Sequence, residues 1–166
     1  MKILSILMKY TLACMLLFAT SVSFAYGQAM TDYTLEQALE LLPVYTSGYF
    51  ATVDGDQPVL RGWQYQGYEK GKFLFATANN KDVYKQMQKN RNVAFACGVG
   101  DVQFRISGVL TEVNDPAEKK RLFDKLSPSV KQMYQTWDNS ILVIFTVSGG
   151  QLRVSKAFSP YQSIKY

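Results

Sequence analysis

Apolar and polar residues alternate along several short stretches of the chain, and this period of two is typical of β-strands. The stretches are residues 49–53, 58–66, 72–77, 92–97 and 102–113. Turn-forming sequences such as Asp54-Gly55-Asp56 and Glu69-Lys70-Gly71 separate consecutive stretches, so the pattern predicts antiparallel hairpins. It also predicts a last hairpin, in which residues 141–147 and 151–154 flank Ser148-Gly149-Gly150.

Other stretches have apolar residues at helical spacing. They are residues 34–42, 81–89, 115–126 and 127–134. Thr31 or Asp32 is available as the N-cap of the first helix, Asn79 or Asn80 as that of the second, and Asp115 as that of the third. Strands joined by tight turns, with helices inserted between them, favour a mainly β fold of the α+β class. We expect a closed or nearly closed β-barrel rather than a βαβ layout.

The first residues of the chain follow a different pattern. Lys2 and Lys9 precede an apolar run at residues 10–19, and small residues follow at Ser23 and Ala25. This order is typical of a secretory signal peptide.

We therefore expect a signal peptide at residues 1–25, with cleavage as late as Ala29 as a second choice, and a single domain at residues 26–166. The mature protein would be periplasmic or extracellular, with no stable membrane insertion. Two alternatives remain open, an uncleaved membrane anchor and lipidation of Cys14. The apolar run is short for a membrane span, and the residues before Cys14 fit a lipidation motif poorly.

The chain has 166 residues, 18 Lys and Arg, 13 Asp and Glu, two Cys and no His. Without imidazole, catalytic triads that use His and His-ligated zinc or haem are excluded. Removing Lys2 and Lys9 leaves 16 cations against 13 acids, a net charge of +3. The basic residues are not dense enough to predict a nucleic-acid interface, and Lys119-Lys120-Arg121 is typical of a solvated helix face.

Cys97 is the single thiol of the expected mature chain, so no internal disulfide can form there. It lies in an apolar stretch that predicts a strand. We interpret it as a small buried hydrophobe, with a reactive thiol as the alternative.

Candidate chemistry is concentrated where the third predicted strand meets a helix. The sequence Thr77-Ala78-Asn79-Asn80-Lys81 brings a hydroxyl, two amides and an ammonium group to the N-terminus of that helix. Such a site favours a phosphate, although a capped surface helix would look similar.

Polar residues also occur inside predicted strands. Arg61 shares one strand face with Trp63 and Tyr65, and Gln103 shares another with Arg105. The solvent side of a barrel wall would explain both sets.

Several segments occur in a distinctive order over about a hundred residues. They are Gly48-Tyr49-Phe50-Ala51-Thr52-Val53-Asp54-Gly55-Asp56-Gln57-Pro58, Arg61, Phe75-Ala76-Thr77, Asn80-Lys81-Asp82-Val83-Tyr84 and Phe104-Arg105-Ile106-Ser107-Gly108. In this order the chain resembles the FMN-binding split-barrel family that includes pyridoxamine 5′-phosphate oxidase, and within it the small flavoproteins of bacteria. The resemblance implies a split barrel, FMN as cofactor and a homodimer in which two subunits share each FMN.

The resemblance also implies site residues. Arg61 would lie near the flavin phosphate or ribityl chain, Lys81 would bind the phosphate, and Thr77 and Gln103 would contact the flavin. Main-chain groups along the isoalloxazine edge would come from Gly62, Trp63 and Gln64.

Two departures from the family pattern limit the cofactor binding and the substrates that we expect of this chain. The oxidases have an Arg beside the phosphate-binding Lys, where this chain has Asn80, so one charge partner of the phosphate is lost. Their C-terminal Arg-x-His substrate element has no counterpart, since the chain has no His. We expect an exported FMN-dependent oxidoreductase that is not a true pyridoxamine phosphate oxidase. No catalytic residue or metal ligand is assigned. The alternative is a non-catalytic protein that binds flavin or another phosphorylated small molecule.

Overall fold

Eight β-strands and four short helices form the part of the chain that the computed structural model describes, residues 32–157 and 159–166. The strands are β1 (Ser47–Asp54), β2 (Gln57–Gln64), β3 (Gly67–Glu69), β4 (Lys72–Ala78), β5 (Asn92–Val99), β6 (Val102–Glu112), β7 (Leu142–Lys156) and β8 (Gln162–Lys165). The helices are α1 (Leu35–Glu40), α2 (Asp82–Lys89), α3 (Pro116–Phe123) and α4 (Pro128–Tyr134). The predicted signal peptide, residues 1–25, lies outside the described residues.

All the strands belong to one antiparallel sheet with the order β2-β1-β5-β6-β7-β4-β3, and β8 pairs with β7. The two ends of this order, β2 and β3, are consecutive in the chain and are connected by Tyr65 and Gln66. The Tyr65 N–H donates to the Thr46 carbonyl, next to β1, at 2.9 Å, and the Gln66 N–H donates to the Leu74 carbonyl of β4 at 3.0 Å. The sheet therefore curls into a barrel that its backbone closes at one end. This architecture confirms the expected mainly β split barrel with inserted helices.

Aromatic rings fill the barrel interior. Phe50, Phe75 and Phe145 come from β1, β4 and β7, and each is fully buried. Phe75 stacks on Phe145 with ring centroids 5.7 Å apart, and Phe50 lies edge-on to Phe75 at 5.2 Å. Because successive strand residues face opposite sides, one aromatic residue on each of these strands is enough to build the layer.

A second apolar cluster lies on the other side of β4 and β7. Leu74 and Ile144 on these strands belong to the same buried cluster as Leu122, Leu126 and Tyr134 from the α3–α4 region. The helices therefore cover one part of the outer barrel wall, and β4 and β7 are buried on both faces along this part.

An ion-pair cluster links β3 to α3. Arg121 contacts both Glu69 and Glu118, and Lys125 contacts Glu69. Arg121 thus has a specific role beyond the solvated face that the sequence predicts. These hydrogen bonds, Arg121 first, lower the pKa of Glu69 from 4.5 to about 2, although partial burial opposes the change.

The predicted last hairpin is wrong, because β7 is one continuous strand of 15 residues that runs through Ser148-Gly149-Gly150. The pairing with β6 shifts register between Ser107 and Val109, and Gly149 has a φ of 67°. A Cβ at Gly150 would lie 1.7 Å from the Ser107 carbonyl oxygen. The glycines therefore permit a bulge that bends the strand, whereas a hairpin would reverse it.

Two predicted helix caps are also wrong. The N-cap of α1 is Thr34, because its hydroxyl accepts from the Gln37 N–H while the Gln37 side chain accepts from the Thr34 N–H. The N-cap of α2 is Lys81, which supplies no side-chain hydrogen bond. The predicted cap of α3 is confirmed, since the Asp115 carboxylate accepts from the Glu118 N–H at 2.7 Å.

The two ends of the described chain are joined by one side chain. The Gln162 amide accepts a hydrogen bond from the Tyr33 N–H at 2.6 Å and donates one to the Tyr33 carbonyl at 2.7 Å. The segment before α1 is thereby attached to β8, a strand that the sequence patterns did not predict. Within the described residues, no helix has the length and apolar composition needed to cross a bilayer.

Acidification should test the ion-pair cluster. Because the folded pKa of Glu69 lies below its ordinary value, its contribution to stability is complete above pH 4.5 and lost as the pH falls towards about 2. We expect the Glu69→Gln variant to lose less unfolding free energy over this interval than the wild type, as measured by urea denaturation at a series of pH values. The exposed Glu40→Gln variant serves as the control. Equal acid dependence in wild type and Glu69→Gln would contradict the assignment.

Thiol labelling should test the burial of Cys97, which is 7% exposed. Burial raises the pKa of its thiol to about 11. In a Cys14→Ser background at pH 8, we expect an aromatic disulfide reagent to label the folded protein at least about a hundred times more slowly than the urea-unfolded protein. Comparable rates in the two states would favour the alternative of a reactive thiol.

Candidate functional site

The barrel is split between β2 and β4. Beyond the Gln66–Leu74 hydrogen bond, β2 pairs only with β1, and β4 has no strand partner on this side after its pairing with β3 ends. The Tyr65 N–H donates to the Thr46 carbonyl, so alternate residues of β2 direct their peptide groups toward β1. By this alternation, Gly62 and Gln64 present their peptide groups at the free edge, where the Gln64 carbonyl already accepts from the Gln66 side-chain amide at 3.2 Å.

The peptide groups of Trp63 instead face β1, which differs from the expectation for this residue. Its half-buried ring packs inward, with its centroid 4.8 Å from that of Phe50 and 6.1 Å from that of Phe145. Tyr65, on the same face, is 2% exposed. This face of β2 therefore lines the interior, and the prediction that it forms the solvent side of the wall is wrong.

Arg61 lies on the same inner face and enters a polar network at the end of the barrel. Its guanidinium donates to the Thr52 hydroxyl at 3.1 Å and to the Gln86 side-chain oxygen at 2.8 Å. The Thr52 hydroxyl donates to the same Gln86 oxygen at 2.7 Å, and the Gln86 amide donates to Asp54 at 3.2 Å. Thr52 and Gln86 are both buried. The network fixes the guanidinium and attaches α2 to the barrel.

Electrostatics at Arg61 reflect its partial burial. Desolvation lowers the pKa of its guanidinium, and the carboxylates of Asp54 and Asp82 oppose this change. Asp82 is the first residue of α2, whereas the direct contact of Arg61 with this helix is the hydrogen bond to Gln86, in the second turn. The positive charge is therefore held beside α2, one turn after its N-terminus.

The end of β4 carries a buried polar atom without a partner. The Thr77 side chain is 2% exposed, and its hydroxyl has no hydrogen-bond partner among the described residues. Such an atom needs an explanation, because burying a hydroxyl without a partner costs free energy. Thr77 lies on the same face of β4 as Phe75, directed into the barrel.

The helix that follows β4 begins without a side-chain cap. Asn79 instead donates to the Ser140 carbonyl at 2.9 Å, and the side chains of Asn80 and Lys81 are exposed. The Tyr84 N–H donates to the Lys81 carbonyl at 3.0 Å, so the N–H groups of Asp82 and Val83 are the ones left for an external acceptor. Asp82 adds a negative charge there, which Lys85 partly balances at 3.2 Å.

Gln103 is not brought together with the other predicted site residues within one subunit. It is exposed on the outer wall of β6, and β5 and β1 lie between β6 and β2. With strands about 4.8 Å apart, the backbones of Gln103 and Arg61 are separated by three strand spacings. The outward direction of Gln103 and Arg105 confirms the prediction of a solvent-facing wall for this strand.

The sequence patterns did not predict three candidate functional residues. Thr52, Asp54 and Gln86 organise Arg61, yet the patterns assign them to a strand, a turn and a helix without further chemistry. A signal was present for two of them. Thr52 lies two positions after Phe50, and Gln86 lies three after Val83, so both are polar residues at positions whose spacing places them in the core.

The fold and this site define a class of protein. In these split-barrel proteins, a helix N-terminus that favours phosphate lies beside the unpaired edge of a strand. The sequence matches the family model for pyridoxamine 5′-phosphate oxidase over residues 34–153. The chain therefore belongs to this family.

Solved structures with the same fold come from several bacteria. A NimC/NimA family protein from Clostridium acetobutylicum is 25% identical, with a TM-score of 0.66, and the match covers 78% of this chain and 91% of that one. A pyridoxamine 5′-phosphate oxidase-related, FMN-binding protein from Nostoc punctiforme is 15% identical, with a TM-score of 0.57 and coverage of 70% and 77%. A haem-binding protein from Mycobacterium smegmatis is 14% identical, with a TM-score of 0.63 and coverage of 81% and 59%. Among proteins of curated function, none gives a significant sequence match.

Substitution of Gln86 should test the polar network. The Gln86→Leu variant leaves the Thr52 hydroxyl and one Arg61 nitrogen without their acceptor. We expect it to lose about 1–3 kcal/mol of unfolding free energy, as measured by urea denaturation. Gln88→Leu, which removes an exposed hydrogen bond to Glu112 on the same helix, should change stability by less than about 0.5 kcal/mol. Equal losses in the two variants would contradict the role given to Gln86.

Proposed function

We propose that the chain binds FMN at the split between β2 and β4 and acts as an FMN-dependent oxidoreductase. The observation that carries this proposal is the buried hydroxyl of Thr77, which has no partner among the described residues and lies just before an uncapped helix. A bound flavin would supply the missing partner for that hydroxyl. Its phosphate would supply an acceptor for the free N–H groups of α2.

The residues present fit the phosphate end of FMN. Lys81 stands at the start of α2 with an exposed ammonium group, and Arg61 keeps guanidinium N–H groups beyond the two donors that bind Thr52 and Gln86. Both cations would bind phosphate by charge-assisted hydrogen bonds. Asn80 can add an amide but no charge, so the phosphate site is weaker than one with Arg at this position.

The free edge of β2 fits the other end of the cofactor. Gly62 and Gln64 present peptide groups there, and a flavin ring offers polar atoms that can pair with them. The Trp63 ring would close the inner side of the split against water. When bound, the isoalloxazine supplies the ability to accept and return electrons or hydride, and the protein supplies position and polarity.

A homodimer is part of the proposal. Gln103 is exposed on the outer wall, three strand spacings from Arg61, so in one subunit it lies away from the split. In a dimer that shares each FMN, Gln103 would contact the flavin held at the split of the second subunit.

The substrate of this oxidoreductase differs from that of pyridoxamine phosphate oxidases. The chain has no His and therefore lacks the Arg-x-His substrate element of those enzymes. For the same reason a haem held by His cannot be its cofactor. We propose no general base, and we propose export by the signal peptide at residues 1–25, which places the reaction in the periplasm or outside the cell.

A second candidate is a protein that binds flavin, or another phosphorylated small molecule, without turnover. Asn80 favours this candidate, because the loss of one phosphate cation permits the ligand to exchange. Reduction of the bound flavin separates the two functions. In an oxidoreductase, the bound flavin is reduced by a nicotinamide donor as well as by dithionite. In a carrier, the bound flavin is reduced by dithionite alone.

Flavin titration should test the site directly. We expect the purified protein to bind FMN more tightly than riboflavin, because the phosphate contacts Lys81, Arg61 and the N-terminus of α2. In the Lys81→Ala variant, FMN affinity should fall about tenfold while riboflavin affinity stays unchanged, as measured by quenching of flavin fluorescence. Lys89→Ala, which removes an exposed lysine from the last turn of the same helix, is the matched control. A protein that binds neither flavin would contradict both candidate functions, and full FMN affinity in Lys81→Ala would contradict the phosphate assignment.

A further inference from the structure

Three polar side chains form a chain of hydrogen bonds where β2 ends. Gln64 is the last residue of β2, Gln66 follows it by two positions, and Ser127 is the N-cap of α4. Gln66 and Ser127 are buried, and Gln64 is half-buried. Because a side-chain amide has a donor end and an acceptor end, the groups around it determine which way it is oriented.

The orientation of both amides follows from the Ser127 N–H. This group is always a donor, and it donates to Gln66 Oε1 at 2.8 Å, so the oxygen of Gln66 must face it. Gln66 Nε2 therefore faces Gln64, where it donates to the backbone carbonyl at 3.2 Å and to Oε1 at 3.1 Å. The Ser127 hydroxyl also donates to Gln64 Oε1, at 2.7 Å. Two donors thus hold Gln64 Oε1, and Gln64 Nε2 is left to donate elsewhere.

The Gln64 amide lies at the split between β2 and β4. The Gln64 peptide group faces the free edge of β2, so the Gln66 Nε2 that reaches its carbonyl lies on the same side of the strand. This Nε2 is also 3.1 Å from Gln64 Oε1, which places the Gln64 carboxamide on that side. None of the described residues accepts a hydrogen bond from Gln64 Nε2, and the Gln64 N–H faces away from β1.

The free edge at Gln64 therefore offers hydrogen-bond donors. Both oxygens of this residue accept from Gln66 or Ser127, whereas its backbone N–H and its Nε2 remain available. Such an edge fits an oxygen atom that carries partial or full negative charge. A hydrogen bond to a charged oxygen is about twice as strong as one to a neutral oxygen.

We propose that the Gln64 side chain donates a hydrogen bond to a carbonyl oxygen of the flavin ring and thereby stabilises reduced FMN. This inference rests on the FMN site proposed above. Reduction of FMN by two electrons and one proton leaves one negative charge on the ring, which its carbonyl oxygens share. The Gln64 donor therefore binds the reduced ring more strongly than the oxidised ring. Gln66 and Ser127 are positioning residues, because they act on the ring only through Gln64.

The Gln64→Glu variant tests the proposal most directly. It keeps the size of the side chain and an oxygen for the donors of Gln66 and Ser127, but it replaces the free N–H groups with a second oxygen. The protein is titrated at pH 8 with oxidised FMN and, without air and with dithionite, with reduced FMN. We expect the affinity for reduced FMN to fall at least about tenfold more than the affinity for oxidised FMN. For a two-electron couple, this corresponds to a potential of the bound flavin that is about 30 mV lower, which a reference dye measures independently.

Further variants separate this hydrogen bond from effects on the fold. Gln64→Leu removes the donor without adding a charge, and it should lower the potential by less than Gln64→Glu. Gln66→Leu should also lower the potential, because Gln64 loses the donor that fixes its orientation, whereas a purely structural role would leave the potential unchanged. The matched control is Gln57→Glu, which adds the same charge at an exposed position of β2 about 23 Å away. Thermal unfolding checks that each variant is folded.

The outcomes distinguish this inference from the function on which it rests. Unchanged potentials in both Gln64 variants, in protein that still binds FMN, would overturn the inference and leave the FMN site intact. Gln64 would then donate to solvent or to an oxygen of the substrate. An equal change of potential in Gln57→Glu would also overturn it, because the added charge would then act without a specific contact. A wild-type protein that binds neither oxidised nor reduced FMN would instead overturn the proposed function.

Discussion

The contact among aromatic rings inside the barrel holds together β2 and β4, two strands that do not pair with each other in the sheet. The Gln66–Leu74 hydrogen bond joins β4 to the chain just after β2 ends, so beyond this point the relative position of the two strands depends on side chains. Trp63 from β2 and Phe75 from β4 both pack against Phe50 and Phe145. Apolar burial thus replaces the sheet ladder where the barrel opens, and it leaves peptide groups at the free edge of β2 for a ligand.

The chemistry at this opening depends on a second constraint, the burial of polar groups. Arg61, Thr52 and Gln86 satisfy one another, whereas the Thr77 hydroxyl, at the end of β4, has no partner among the described residues. In a packed core the buried polar groups have hydrogen-bond partners. In a binding site, one buried polar group can lack a partner until the ligand supplies it. This contrast supports the proposed position of the flavin more strongly than the exposed Lys81 alone.

The sequence predicted most elements correctly because their signals are local. Alternation located β1, β2, β4, β5 and β6, and Asp115 and Ser127 correctly mark the starts of α3 and α4. The last hairpin was wrong because Gly149 and Gly150 fit a turn and a bulge equally well. Only the pairing of β7 with β6, which joins residues at least 33 positions apart, decides between them. The short strands β3 and β8, which the patterns did not predict, carry too few residues to show a period.

The candidate site was predicted in part for the same reason. Thr77 and Lys81 are neighbours in sequence, so their chemistry could be recognised together, and the structure places both at the start of α2. The role of Gln86 depends on the packing of that helix against β1 and β2, which no local pattern encodes.

The Gln162 amide has a consequence for the order in which parts of the molecule open. It binds both peptide groups of Tyr33, so β8 cannot leave β7 without also releasing the segment that leads into α1. The two segments, 129 residues apart, therefore form one cooperative unit at the periphery of the barrel. This unit can open while β1 to β7 remain folded, and its amide hydrogens would exchange together with solvent before those of the core.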